Sequence, residues 1–217
     1  MEIMDLIQFL FRWGHVVFGI AWIGLLYYFN FVQGGYMAAA SDEAKVDAFT
    51  KLVPSALWWF RWAAMMTFLT GVILVIYIMA GLSVGILLGA LLGTVMFLNV
   101  WLVIWPNQKI VIASNESVRD GGEADPNQAA AAAKALLASR TNTLFSLPMA
   151  FFMVSHGGGY ALGTSDLTSM GMWIGIIIVA AIEANALFGK MGPITTVRGV
   201  ITSSVILTAV MGVVAGL

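Results

Sequence analysis

Long apolar stretches separated by shorter polar segments run through the whole chain. Six of them reach or approach 20 residues, at about 7–31, 55–80, 82–105, 143–161, 171–190 and 195–216. A helix of about 20 residues covers the roughly 30 Å of hydrocarbon in a bilayer. The pattern predicts an all-α fold: a polytopic membrane helical bundle of about six transmembrane helices, which forms a single domain over residues 1–217.

Two polar segments predict short amphipathic helices on the cytoplasmic membrane surface. In 41–54, Ser41 is a good N-cap and Asp42 and Glu43 follow it in the first turn. The second segment, 128–140, is rich in alanine and strongly favours a helix. We expect both to be separate helices outside the spans.

Glycine and proline mark the expected interruptions. Gly34-Gly35 predicts a break after the first span, and Pro106 predicts the end of the third. Pro148 lies inside the fourth span, where it is expected to kink the helix and to free a backbone carbonyl.

The composition supports a membrane protein and excludes several chemistries. Hydrophobic residues make up 60% of the chain and charged residues 10%, with a mean hydropathy of +0.93. A net charge of −1 gives no signal for nucleic acid. The chain has no cysteine, which excludes disulfides, thiolate nucleophiles, iron–sulfur clusters and covalently attached c-type haem.

The basic residues predict the orientation. With six spans, one side of the membrane carries Lys45, Lys51, Lys109, Arg119, Lys134, Arg140, Lys190 and Arg198, and the loops of the other side carry no lysine or arginine. The positive-inside rule then places both termini outside the cytoplasm. Acidic Glu2 and Asp5 precede the first stretch, and no basic residue occurs before Arg12. This is unlike a cleaved signal peptide, so the first span is expected to be retained.

Histidine in the first span is the main candidate for a cofactor ligand. His15, Gly19 and Trp22 share one helix face. An imidazole next to a glycine allows a flat macrocycle to approach the helix, so haem b with His15 and His156 as iron ligands is one interpretation, and Arg12 is a candidate partner for a haem propionate. His156 ends the fourth span and is predicted on the same side as His15. The alternative is a structural interfacial histidine.

A second group of polar residues lies near the cytoplasmic side. Arg61, Asn99 and Glu183 are each predicted about 9–11 Å from that face, at 1.5 Å per residue. A structural ion pair between Arg61 and Glu183 is one interpretation. The other is a catalytic or transport site, in which Arg61 holds an anion, Glu183 relays a proton and Asn99 lines the site.

Four blocks carry a family resemblance: HVVFGIAWIGLLYYFNF (15–31), LWWFRWAAMMTFLTG (57–71), NVWLVIWPNQK (99–109) and SRTNTLFSLPMAFFMVSH (139–156). Together they resemble the urate oxidase N-terminal family, the membrane domain of bacterial cytochrome-linked urate hydroxylases. The resemblance implies the bacterial inner membrane, a purine-like substrate such as urate, and electron transfer. Fuller members carry a c-type cytochrome domain with a Cys-x-x-Cys-His motif. This cysteine-free chain would therefore need a separate carrier, such as an external cytochrome c.

Three functions remain open. The first is a membrane redox protein that holds haem b. The second is a non-catalytic subunit of a larger respiratory assembly, and the third is a small-molecule transporter. Gly85, Gly89 and Gly93 recur at every fourth residue in the third span. Such a stripe permits close helix contact, either in a homo-oligomer or inside one bundle. The expected partners are membrane lipid and a cytochrome or respiratory complex, and no nucleic acid.

Overall fold

The computed structural model describes residues 3–160 and 162–217, which form six long helical rods and contain no strand. Five rods are long and apolar enough to cross a membrane: Ile3–Ala39, Asp42–Tyr77, Val84–Arg119, Met170–Phe188 and Val197–Ala215. The sixth, Gln128–Gly157, includes most of the predicted fourth span but is more polar. The all-α prediction is confirmed, and the number of membrane crossings stays a prediction.

Each of the first three rods is one continuous helix with a π-helical turn inside it. Their parts, in chain order, are α1 (Ile3–Tyr27), a π turn (Tyr28–Gln33) and α2 (Gly34–Ala39); α3 (Asp42–Asp47), a π turn (Ala48–Leu52) and α4 (Val53–Tyr77); and α5 (Val84–Leu98), a π turn (Asn99–Ile104) and α6 (Trp105–Arg119). The last three rods are α7 (Gln128–Gly157), α8 (Met170–Phe188) and α9 (Val197–Ala215). Short 3₁₀ turns, Met79–Gly81 and Gly192–Thr195, precede α5 and α9.

The predicted breaks at Gly34-Gly35 and Pro106 are wrong, because the helix continues through both. Gly34 adopts ordinary helical angles, φ −58° and ψ −40°, and a glycine costs a helix only about 1 kcal/mol. Pro106 lies two residues after a π turn that ends at Ile104, and the Trp105 N–H bonds five residues back to Val100 O. The helix is already widened where the proline ring enters, which relieves the usual clash with the preceding turn.

The two predicted surface helices are not separate elements. The Ser41 hydroxyl does accept from the Ala44 N–H at 3.3 Å, as an N-cap should. The helix that it starts then runs without interruption to Tyr77. Similarly, segment 128–140 is the first part of α7. The residues of both polar segments form additional helical turns at the ends of the apolar rods, and they do not form separate helices beside the rods.

Contacts between the rods show that the chain direction alternates. The ring of His15 meets Thr67 and the ring of Phe29 meets Phe60, so the first rod and α4 are antiparallel. Asn99 bonds to Asn142, while a Cβ on Gly85 would meet Phe152, so the third rod and α7 are also antiparallel.

The last two rods complete the alternation. Ser204 contacts Leu144 and Gly212 faces Phe151, which makes α9 parallel to α7. Glu183 bonds to Asn99 and Gly175 faces Leu88, which makes α8 parallel to the third rod. Ile3 and Leu217 therefore lie at one end of the bundle, the termini end. The eight basic residues named above lie toward the other, the basic end.

Helix α7 is the centre of the bundle. All residues from Arg140 to Ser146 are buried, on every side of the helix. Large apolar side chains on the outer helices are exposed instead, for example Leu102 at 68% and Ile177 at 64%. The exposed apolar surface is the surface that a bilayer would cover.

The expected freed carbonyl at Pro148 has a partner from another helix. Pro148 has no N–H to give to Leu144 O, four residues earlier. The Ser204 hydroxyl of α9 donates to that oxygen at 2.7 Å instead. A neighbouring hydroxyl thus satisfies a backbone group that would otherwise be buried without a hydrogen bond.

The glycine stripe of the third rod packs inside the bundle. A Cβ on Gly89 would lie 2.9 Å from Phe152 Cβ, and one on Gly93 would lie 3.4 Å from Met149 Sδ. Both neighbours belong to α7. Of the two interpretations, contact within one bundle is confirmed for this stripe.

Candidate functional site

His15 is held in one orientation by α4. Its Nδ1 lies 2.9 Å from Thr67 O and 3.1 Å from Thr70 Oγ1. A carbonyl oxygen can only accept, so Nδ1 carries the proton and donates to it. Nε2 then keeps its lone pair. No hydrogen bond of the described residues uses Nε2, which leaves this atom available as a ligand.

Gly19 and Trp22 lie near His15 on the same face of α1. Gly19 follows one turn later, and a Cβ there would be 3.9 Å from Thr67 Cγ2. Trp22, on the same face, is 2% exposed and its indole N–H has no acceptor. Gly71 of α4 holds the ring closely, since a Cβ there would lie 3.0 Å from His15 Cε1. Arg12 is exposed one turn toward the termini end.

His156 lies at the same end of the bundle as His15. It is half-buried near the end of α7, and its Nδ1 is buried without a hydrogen-bond partner. Within the described residues no hydrogen bond joins the two histidines, and the ring of His15 rests on α4. The roles of His15 and His156 as iron ligands, separately or together, stay predictions.

The predicted ion pair between Arg61 and Glu183 is wrong. The Arg61 guanidinium stacks on the ring of Trp105, with Cζ 3.3 Å from the ring centroid, and its Nε donates to Leu57 O at 3.2 Å. The ion pairs of residues 3–160 and 162–217 do not include Arg61 or Glu183. A similar depth in the membrane did not bring the two side chains together, because the rotation of each helix also matters.

Asn99 joins Glu183 to α7. Its Nδ2 donates to Glu183 Oε2 at 2.9 Å and to Asn142 Oδ1 at 3.0 Å. Asn142 in turn donates to Met96 O at 2.9 Å. Asn99 and Asn142 are buried, and Glu183 is half-buried. We call Asn99, Asn142 and Glu183 the amide–carboxylate cluster; it can hold a proton or a polar ligand inside the bundle.

Sequence reasoning missed the polar centre of α7. Asn142 and Arg140 lie in the polar run that precedes the predicted fourth span. Asn30, on the π turn of the first rod, is 2% exposed and donates to Ser139 Oγ at 2.8 Å. The signal was present as four consecutive polar residues, 139–142, beside an apolar stretch. A polar run of this kind is usually read as a loop or surface.

A conventional metal cluster is not among the features of this site. The described residues contain no group of three or more His, Cys, Asp or Glu side chains placed to hold a metal ion. Haem iron needs only one or two imidazoles, and its binding here stays a prediction.

Comparison with known families identifies the chain. The family model described as urate oxidase N-terminal matches residues 77–215. The blocks at 99–109 and 139–156 and the amide–carboxylate cluster lie inside this range, and His15 and Arg61 lie before it. Neither the curated proteins nor the solved structures contain a match. Because the match covers more than half of the chain, the protein belongs to the urate oxidase N-terminal family.

Proposed function

We propose that the protein is a membrane redox subunit that binds b-type haem at His15 and passes electrons from a purine-like substrate to an external cytochrome c. The observation that carries the proposal is the hydrogen bond from His15 Nδ1–H to Thr67 O. A ligating histidine usually donates its second ring N–H to a carbonyl, which fixes the tautomer and orients the ligating nitrogen. Bound haem supplies reversible one-electron transfer.

The residues around His15 suit that role. Thr67, Thr70 and Gly71 hold the imidazole, and Gly19 places no side chain between α1 and Thr67. The unpaired N–H of Trp22 is a donor for a polar group of the bound molecule. Arg12 is placed toward the termini end for a propionate, and His156 is the candidate for the second axial position.

Substrate oxidation also releases protons, and the amide–carboxylate cluster is the candidate acceptor. Hydroxylation with an oxygen atom from water releases two electrons and two protons per substrate molecule. Glu183 takes up a proton at its carboxylate, Asn99 orients Oε2, and Arg61 attracts the substrate anion. Asn30 relates the two sites along the bundle. It lies 15 residues after His15 on the first rod and bonds to Ser139, which is one turn of α7 before the cluster residue Asn142. Proton and electron sites are thus separated by roughly 20 Å along the bundle.

We further propose that the basic end faces the cytoplasm of a bacterial inner membrane. Support comes from the eight basic residues at that end and from the positive-inside rule. The chain has no cysteine, so single cysteines report on topology directly. Ala124→Cys is expected to react with an impermeant maleimide only after the membrane is opened, and Ser165→Cys in intact spheroplasts. Reversed labelling would overturn this orientation.

Absorption spectra test the redox proposal. The full chain, purified in detergent, is expected to show b-type bands after reduction and a pyridine haemochrome close to one haem per chain. His15→Ala should remove the haem. Gly71→Ala should lower its occupancy because the new methyl displaces the imidazole, while Gly24→Ala is the matched control, with nothing within 4 Å of its Cβ. Absence of haem from the folded wild-type chain, or full haem in His15→Ala, would contradict the proposal.

A transporter is the second candidate, and the amide–carboxylate cluster favours it. A half-buried carboxylate that accepts from Asn99 of a neighbouring helix is typical of proton-coupled pathways. Glu183→Gln separates the two functions when haem content and substrate uptake are both measured. Transport would be favoured if the Glu183→Gln variant loses substrate uptake into vesicles but keeps normal haem spectra, and if the substrate does not reduce the haem.

A further inference from the structure

Arg140 is a buried cation whose Nε and Nη1 atoms have no hydrogen-bond acceptor among residues 3–160 and 162–217. Arg140 is 8% exposed. The ion pairs of the described residues do not include it. An uncompensated charge in such surroundings is strongly unfavourable. An anion from outside the chain would satisfy the two free N–H groups.

A groove on α7 begins at Thr143, one turn after Arg140. Helices α1 and α9 both pack on α7 but scarcely touch each other. Between them is an apolar, half-open cavity of about 210 Å³, lined by Tyr27, Phe31, Thr143, Leu147, Ile201 and Ser204. Its floor is α7, and its walls are α9 and the first rod. Because α1 and α9 lie at the outside of the bundle, the open side faces the bilayer.

Two arginines lie at the basic end of this groove. Arg140 precedes the lining residue Thr143 by one turn of α7, and Arg198 precedes the lining residue Ile201 by one turn of α9. Residues three apart share a helix face, so both lie on the faces that form the groove. Arg198 is exposed. Arg140 lies three residues before the start of the predicted fourth span at 143, near its cytoplasmic end.

We propose that this groove binds an anionic phospholipid. The phosphate lies against Arg140 and Arg198, and one acyl chain occupies the groove along Leu147 and Tyr27. A basic site between helices on the cytoplasmic side is typical of lipid-headgroup recognition. The apolar walls favour a lipid over a free small anion, because a small anion has no acyl chain to bury against them. This site is independent of the haem proposed at the termini end.

Native mass spectrometry of the detergent-purified full chain tests the proposal with three probes. Dioctanoyl phosphatidylglycerol carries both the phosphate charge and the chains. Dioctanoyl phosphatidylcholine has the same chains and no net charge, and glycerol 3-phosphate has the charge without the chains. We expect phosphatidylglycerol to bind about tenfold more tightly than phosphatidylcholine, and glycerol 3-phosphate not to compete at equal concentration. Equal binding of the two lipids, or full competition by glycerol 3-phosphate, would overturn the lipid assignment.

Variants locate the site. Arg140→Gln should weaken phosphatidylglycerol binding by about tenfold or more, because charge-assisted hydrogen bonds are lost. Arg198→Gln should weaken it about threefold, as expected for an exposed charge. Lys134→Gln, an exposed residue of the same helix, is the matched control and should have no effect. Ile201→Trp fills the groove and leaves both arginines in place. Its phosphatidylglycerol binding therefore tests the site even if Arg140→Gln does not fold. Unchanged binding in Ile201→Trp would refute the site.

Discussion

The hydrogen bond from Ser204 to Leu144 gives a quantitative prediction. Ser204 is 1% exposed and its hydroxyl donates to Leu144 O at 2.7 Å. Ser204→Ala leaves that carbonyl buried without a donor, since Pro148 cannot supply one. Interhelical hydrogen bonds in membrane proteins contribute about 0.6 kcal/mol on average and up to about 1.7. This bond is short and enclosed, so we expect a loss of about 1.5 kcal/mol in the free energy of unfolding.

A double-mutant cycle isolates this effect. Pro148→Ala returns an N–H to residue 148, which can bond to Leu144 O within α7. In that background Ser204→Ala is expected to cost close to nothing, so the coupling energy is about 1.5 kcal/mol. Reversible unfolding in mixed micelles measures all four proteins. Ser203→Ala, at a half-buried neighbouring residue of α9, is the control. An equal cost of Ser204→Ala with and without Pro148 would refute the reasoning.

Two other substitutions test the packing of the third rod. Asn99→Leu removes two interhelical hydrogen bonds and should destabilise the fold by about 1–3 kcal/mol in the same assay. Asn107→Leu is its control, because Asn107 donates only to Val103 O of its own rod; equal losses would contradict the role of the cluster. Gly89→Ala should cost about 1–3 kcal/mol through overpacking against α7, whereas Gly24→Ala should be neutral or slightly stabilising. A neutral Gly89→Ala would show that the close contact is not needed.

Hydropathy was sufficient to predict the helical class and the approximate position of each rod. It failed at Gly34-Gly35 and Pro106, where residue types that usually interrupt a helix lie within two residues of the end of a π-helical turn. A π turn inserts one residue and leaves no periodic signature that composition reveals. The helices are accordingly longer than the apolar stretches.

The candidate site was predictable in its residues but not in its contacts. His15 stood out because ionisable residues are rare in spans, yet its partners Thr67 and Thr70 depend on how α1 packs on α4. Arg61 and Glu183 illustrate the same difference. Sequence position gives depth along a helix, but the rotation of each helix decides which side chains meet. Trp105, and not Glu183, faces the Arg61 guanidinium.

The enclosure of α7 has a consequence for biosynthesis. This helix carries Arg140, Thr141, Asn142 and Thr143 in succession, and all four are covered only because other rods surround them. When α7 leaves the ribosome, α8 and α9 have not yet been made, and a single polar helix enters lipid poorly. We therefore expect α7 to wait at the translocon beside the first three rods until the C-terminal hairpin arrives. Nascent chains truncated before residue 170 should then remain crosslinked to the insertion machinery.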